Sequence, residues 1–147
     1  MATTRRAEAT WSGALATGKG VVSAVSSGVF GELPVTWAAR TETPDGMTSP
    51  EELLAAAHAA CFSMAFAGRL GRAGTPPTRL EVSAEVTFAQ QESGWKVMSS
   101  ALTVRGEVPG ISAEAFRTEA EAAKDGCPIS GALQANVELS VEATLVE

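Results

Sequence analysis

The stretch SPEELLAAAHAACFSMAFAG, residues 49–68, decides how this chain folds. Ser49 can cap the free backbone donors of a first helical turn, and Pro50 suits the first helical position. Glu52 stands where an S-x-x-E capping box needs its carboxylate. Leu53, Leu54, Ala57, Cys61, Met64 and Ala65 then cover much of a helical surface. The spacing predicts a central helix, covered on most sides, that runs to about Gly68 or Gly71 and ends before the prolines of AGTPPT. The apolar window of residues 53–68 is shorter than the roughly 20 residues a membrane span needs and carries His58 and Ser63. It is expected to be a buried helix rather than a span.

On the N-terminal side, AEATWSG places Ala7, Ala9 and Trp11 at alternate positions, and GVVSAVS follows the turn at Thr17–Gly18 with β-branched residues. LPVTWAAR reads as a third strand with Leu33, Val35, Trp37 and Ala39 on one face, so that Arg40 points away from Trp37. On the C-terminal side, RLEVSAEVTFAQ alternates as a half-buried strand. QESG turns, and WKVMSSALTVRGEV returns with a phase shift near Ser99–Ser100 that suggests a bulge.

Ser112 caps a second helix with Phe116, Ala120 and Ala123 on its inner face, which stops at Asp125–Gly126. CPISGALQAN begins with Cys127 and Pro128 at the start of a short third helix, and VELSVEATL closes as a strand. The expected order is βββ-α-ββ-α-α-β, an α+β class with no βαβ rhythm and no internal repeat. Length alone fits a single domain over residues 1–147.

A net charge of -6 argues against nucleic acid or an acidic membrane surface as partner, because phosphates need a concentrated basic face. MATTRRAEATW has no apolar core after its arginines, so no secretory signal is expected and the cytoplasm is the expected location. Two cysteines are too few for a disulfide framework, which leaves Cys61 and Cys127 as either a redox couple or two unrelated core thiols.

Thiol chemistry runs through the thiolate, and burial raises a thiol's pKa, so a reactive Cys61 needs a cation or donors aimed at it. Cys127, at a helix N-terminus, has the better local setting and reads as the more acidic thiol. His58 lies three residues before Cys61 on the same helix edge and could assist its deprotonation, although a hydrogen-bonded core histidine is the plainer reading. Met64, Phe62 and Phe66 read as core. His58, Cys61 and Cys127 lack a fourth ligand and any usual metal spacing, so neither metal nor cofactor is expected.

The block TPDGMTSPEELLAAAHAACFSMA and the later DGCPIS, with AxWSG, the GKG turn and VPGIS between and around them, resemble the osmotically inducible protein C family, OsmC, allied to the organic hydroperoxide resistance proteins. The resemblance covers nearly the whole chain. The alanine and histidine preceding Cys61 are closer to the OsmC branch than to the hydroperoxide resistance branch, which tends to have tyrosine near His58's position.

The resemblance implies thiol-dependent reduction of organic hydroperoxides by an OsmC-like, intertwined homodimer with an antiparallel sheet packed on a central helix. Cys61 matches the peroxidatic cysteine and Cys127 the resolving one. Arg40 matches the family arginine that holds the thiolate and the developing peroxide charge, and Glu51 the glutamate that grips the guanidinium. An external dithiol, by resemblance a lipoyl protein, would reduce the Cys61–Cys127 disulfide. The contrasting expectation is a non-turnover redox sensor or small-hydrophobe-binding dimer on the same scaffold.

Helix geometry constrains that site. Glu51 and Cys61 are ten positions apart, about 15 Å along a straight helix at ~1.5 Å per residue. Either the helix begins later than Ser49 suggests, or Arg40 and Glu51 of one chain complete the pocket around Cys61 and Cys127 of the other.

Overall fold

The computed structural model describes residues 1–146. Its elements run β1 (Ala7–Ser12), β2 (Lys19–Ala24), β3 (Leu33–Val35), α1 (Trp37–Thr41), α2 (Pro50–Arg72), β4 (Arg79–Gln91), β5 (Gly94–Glu107), α3 (Ala113–Gly126), α4 (Pro128–Leu133) and β6 (Glu138–Val146). The class is α+β as expected, with one helix more than the sequence suggested. The chain divides into two compact units, Met1–Leu53 and Leu54–Glu147.

The first unit is an antiparallel sheet in the order β1-β2-β3. Its turn at residues 17–20 depends on glycine, since a Cβ on Gly18 would lie 2.5 Å from the carbonyl oxygens of Ser12 and Ala14. The expected third strand is cut short. Thr36 is extended and its Oγ1 accepts the Ala39 amide at 3.1 Å, so Trp37–Thr41 coils into α1 instead of continuing β3. A threonine hydroxyl that satisfies a free helical donor outweighs the weak alternation of WAAR.

The start of α2 is as the sequence dictates. Ser49 Oγ accepts the Glu52 amide at 3.1 Å, but the Glu52 carboxylate takes the Thr48 hydroxyl at 2.7 Å, so the capping box closes on Thr48. The helix passes Gly68 and Gly71 and ends at Arg72, where Gly74 turns at φ +81° and the Thr75 amide returns to the Leu70 carbonyl at 2.9 Å. It is therefore longer than expected, and by length and composition alone it could cross a membrane. Its buried edge, however, is that of a core helix: His58, Phe62, Phe66 and Leu70 are all fully buried. The expected inward face is corrected here, since Met64 is 71% exposed. Alanines define no face, and the aromatic residues at i, i+4 spacing set the rotation of the helix.

In the second unit β4 and β5 form the expected hairpin, with Gln91 opposite Gly94. Thr87 pairs with Ser99 but Phe88 with Val97, which leaves Met98 as the bulged residue, one position from where the phase shift placed it. The order is β4-β5-β6, and β6 pairs parallel to β5, Ser99 opposite Glu138 through Glu107 opposite Val146. The sheet is thus mixed rather than antiparallel, and β5-α3-α4-β6 is a crossover that the expectation of no βαβ rhythm missed. Parallel pairing needs a long connection, and the two helices supply it.

Phe62, Phe66 and Leu70 from α2, Leu102, Val104 and Val108 from β5 and its exit, and Phe116, Ala120 and Ala123 from α3 make one core with Cys127 at its margin. Phe66 and Phe116 meet with centroids 5.0 Å apart and planes tilted by 54°. Phe116 lies on the bare backbone of Gly106, where an added Cβ would come within 2.5 Å of the ring. Gly106→Ala is expected to destabilise the protein by about 1–3 kcal/mol, as overpacked cores do. A urea midpoint equal to wild type would contradict this packing.

Candidate active site

The first unit carries a cation held by a carboxylate. Because α1 is helical, Trp37 and Arg40 stand three residues apart on one side of a turn, not on opposite faces of a strand. The Arg40 guanidinium carbon lies 5.8 Å from the Trp37 ring centroid, within cation–π reach. Arg40 Nε is 3.1 Å from both carboxylate oxygens of Glu51, and Nη2 is 2.8 Å from Oε1. Glu51 is only 8% exposed, and its place in the first turn of α2 also sets its charge against the free helical amides. Trp11, Leu15, Val35, Thr36, Trp37 and Pro50 join Arg40 around a largely apolar cleft of about 290 Å³.

The second unit carries both thiols. Cys61, half-buried on α2, and Cys127, buried at the N-cap of α4, place their Sγ atoms 3.0 Å apart as free thiols. The two cysteines are 66 positions apart in the chain, and the β4–β5 hairpin and α3 lie between them. A disulfide bond needs about 2.05 Å between the sulfurs, so closure asks for roughly 1 Å of movement.

The two sulfurs differ in acidity. Burial pushes the Cys61 thiol up, and its contact with Cys127 adds to this, while only the Ile129 amide favours its anion. Burial also opposes a Cys127 anion. There the donors win: the contact with Cys61, the amides of Ser130 and Ile129, and the Ser130 hydroxyl hold Cys127 below the ordinary thiol value. The expectation that Cys127 is the more acidic thiol agrees with this. The agents are individual amides and a hydroxyl, since α4 spans only six residues.

His58, the only histidine in the chain, is fully buried. Its Nδ1 lies 2.6 Å from Ser100 Oγ and its Nε2 2.9 Å from Ser130 Oγ. Burial lowers its pKa, so the ring is neutral. Both nitrogens are thus engaged by hydroxyls, the hydrogen-bonded core histidine of the plainer reading.

Ser100 and Ser130 escaped the sequence reading. The available signal was Ser100 itself, at an inward position of β5 in series with Leu102 and Val104. A buried hydroxyl requires a partner, and only one imidazole was on offer. No buried side-chain nitrogen or oxygen among the described residues lacks a partner. Among the same residues no group of three or more His, Cys, Asp or Glu is placed to hold a metal.

The second unit thus holds two adjacent thiols of unequal acidity, and the first holds a carboxylate-braced guanidinium. Comparison with known proteins places it in context. Residues 43–142 match the family described as OsmC-like protein. Over 138 residues the chain is 41% identical to Peroxiredoxin OsmC of Escherichia coli strain K12, covering 94% of this chain and 95% of that protein. Over 105 residues it is 32% identical to the organic hydroperoxide resistance protein OhrA of Bacillus subtilis strain 168, covering 70% and 72% of the two chains.

Among solved structures, the organic hydroperoxide resistance protein OhrB of Bacillus subtilis superposes with a TM-score of 0.74 at 26% identity, over 95% of this chain and 98% of that one. An organic hydroperoxide resistance protein from Elizabethkingia anophelis gives 0.75 at 26% identity, over 99% and 100%. On its matched residues, its fold and its curated relatives, this chain belongs to the OsmC family.

Proposed function

We propose that the chain is a cysteine-based peroxidase that reduces organic hydroperoxides to alcohols. The observation that carries this is the pair of free thiols with sulfurs 3.0 Å apart, in a chain whose relatives are named for peroxide reduction and hydroperoxide resistance. Cys61 is the attacking sulfur. Its thiolate gives an electron pair to the distal oxygen of ROOH, the O–O bond breaks, and RO⁻ leaves and takes a proton to become ROH. Cys61 is then a sulfenic acid. The Cys127 thiolate attacks that sulfur, the S–O bond breaks, and hydroxide leaves as water once protonated. An external dithiol reduces the resulting disulfide by exchange.

Because Cys127 is the more acidic thiol, it gives up a proton more readily than Cys61 does. A cation must draw the charge to Cys61, and Arg40, gripped by Glu51, is suited to it. Ser49 caps α2 where the sequence placed its start, which removes a later helix start and favours delivery of Arg40 and Glu51 across a homodimer. Apolar side chains left in the open by the single chain support such a dimer: Leu15 is 59%, Val29 78% and Met64 71% exposed. The apolar cleft beside Arg40 suits an alkyl or aryl tail and so favours organic peroxides over hydrogen peroxide. A reducing compartment such as the cytoplasm would keep both thiols ready.

The test is consumption of tert-butyl hydroperoxide under dithiothreitol or a dihydrolipoyl reductant. Many turnovers per chain, faster than with hydrogen peroxide, are expected. A single equivalent consumed without turnover would favour a redox sensor, and no consumption would overturn the proposal.

A further inference from the structure

The sulfurs of Cys61 and Cys127 lie 3.0 Å apart, but they are not equally open to a third sulfur. Cys61 stands on a border of α2. Helical spacing puts Ala57, Ala60 and Met64 to one side of it, all exposed, and His58 and Phe62 to the other, both fully buried. Cys61 itself is half-buried. Cys127 is 1% exposed and belongs to the core with Phe62, Phe116 and Ala123.

Cys127 is also fixed from both directions along the chain. It is the C-cap residue of α3 and the N-cap residue of α4, and its carbonyl accepts the Gly131 amide at 3.0 Å. Swinging its sulfur outward would unpick the joint between two helices. Pairing with a partner subunit can only remove exposure, so it can narrow the way to Cys61 but leaves Cys127 closed.

We propose that Cys61 is the site at which an external thiol attaches, so that the reductant opens the Cys61–Cys127 disulfide at the Cys61 sulfur and not at Cys127. The inference rests on the peroxidase reading for the place of that disulfide in turnover, and adds the direction in which it opens. The reductant is a dithiol. One of its sulfurs, as a thiolate, gives an electron pair to Cys61 Sγ. The bond between the two cysteines breaks, and its electron pair goes to Cys127 Sγ, which takes up the proton the reductant released.

Cys61 is then joined to the reductant by a mixed disulfide. The second reductant thiol loses its proton and attacks the reductant's own bridging sulfur, and Cys61 leaves with the electron pair and takes that proton. Two electrons have passed to the protein, which regains two thiols, and the reductant ends as a cyclic disulfide. Exchange of this kind depends on access to the sulfur attacked and on how readily the other sulfur departs. Access selects Cys61. Departure agrees with it, because the donors that hold Cys127 below the ordinary thiol value make it the better leaving group.

The test needs no peroxide, so the inference and the peroxidase reading can fail separately. The reduced protein is converted to its disulfide with diamide and then treated briefly with 2-mercaptoethanol. This monothiol has no second sulfur with which to release itself, and so it marks the sulfur it attacks. The reaction is quenched in acid, the protein is denatured and alkylated with N-ethylmaleimide, and its peptides are mapped by mass spectrometry without reduction. Mercaptoethanol on Cys61 with maleimide on Cys127 is expected to exceed the reverse pattern at least about tenfold.

When the same disulfide is opened in concentrated urea, where both sulfurs are accessible, the ratio is expected to fall to within about twofold. Equal labelling in the folded protein, or mercaptoethanol mainly on Cys127, would overturn the proposal. A bias that persists undiminished in urea would place its origin in the neighbouring sequence rather than in burial, and would overturn it equally. So would a protein in which diamide forms no disulfide. A Cys61 bias in a protein that consumes no hydroperoxide would uphold the direction of opening and remove the peroxidase reading alone.

Discussion

Replacing Cys61 by serine is expected to reduce hydroperoxide consumption to background, a loss of at least about 10³-fold, as when the nucleophile of a covalent mechanism is removed. The hydroxyl is far less acidic and less nucleophilic than the thiol, and no sulfenic acid can form. Folding should be nearly unaffected, since Cys61 is only half-buried and packs at the edge of the core. Cys127→Ser separates the two halves of the reaction. The first equivalent of peroxide is still consumed, but the sulfenic acid at Cys61 has no partner at 3.0 Å and climbs to sulfinic acid with excess peroxide. Stopped-flow consumption followed by mass spectrometry reads both outcomes. Peroxide turnover that survives Cys61→Ser would remove Cys61 from the chemistry.

The second large effect concerns Arg40. Arg40→Met is expected to lower kcat/KM by about 10²–10³-fold, the loss typical of a group that meets developing negative charge. It also strands a Glu51 carboxylate that is 8% exposed without three of its contacts. The stability cost is about 2 kcal/mol, below that of a fully buried pair because the arginine side chain keeps 30% of its exposure.

Arg40→Lys should recover little. A lysine cannot reproduce a fork in which Nε and Nη2 both reach one carboxylate. Mixed dimers ask where the arginine acts. If it serves the partner's cysteine, combining Arg40→Met chains with Cys61→Ser chains rebuilds one intact site per heterodimer and activity returns. If it serves its own chain, every site stays defective and none returns.

How far the sequence reached depended on the range of the interaction that decides each feature. Ser49 and Ser112 cap their own helices, and Ser112 Oγ accepts the Ala115 amide at 3.1 Å. These signals lie within four residues, and both starts were legible. So was the inner face of α3, because Phe116, Ala120 and Ala123 stand on a helix otherwise rich in charge.

The rotation of α2 was not legible, since an alanine-rich surface gives no strong apolar side and the stripe His58, Phe62, Phe66, Leu70 is selected by what it packs against. The parallel pairing of β6 with β5 was hidden for a similar reason: an alternating strand shows which face is inward but not the direction of its neighbour. Among the candidate residues, Cys61, Cys127, Arg40 and Glu51 stood out by chemistry and by resemblance. The pairing of Arg40 with Glu51 and of the two sulfurs follows what the resemblance implied. Ser100 and Ser130 did not stand out, because a serine becomes informative only when its buried partner is known.

The central claim is that an organic hydroperoxide oxidises Cys61, which then closes on Cys127. Its most direct test treats the reduced protein with one equivalent of tert-butyl hydroperoxide, blocks remaining thiols, and maps the peptides by mass spectrometry without reduction. A single cross-linked peptide joining Cys61 to Cys127, with a loss of two hydrogens and no free thiol, is the expected result. Two fully alkylated thiols, or oxygen added to Cys127 alone, would contradict it.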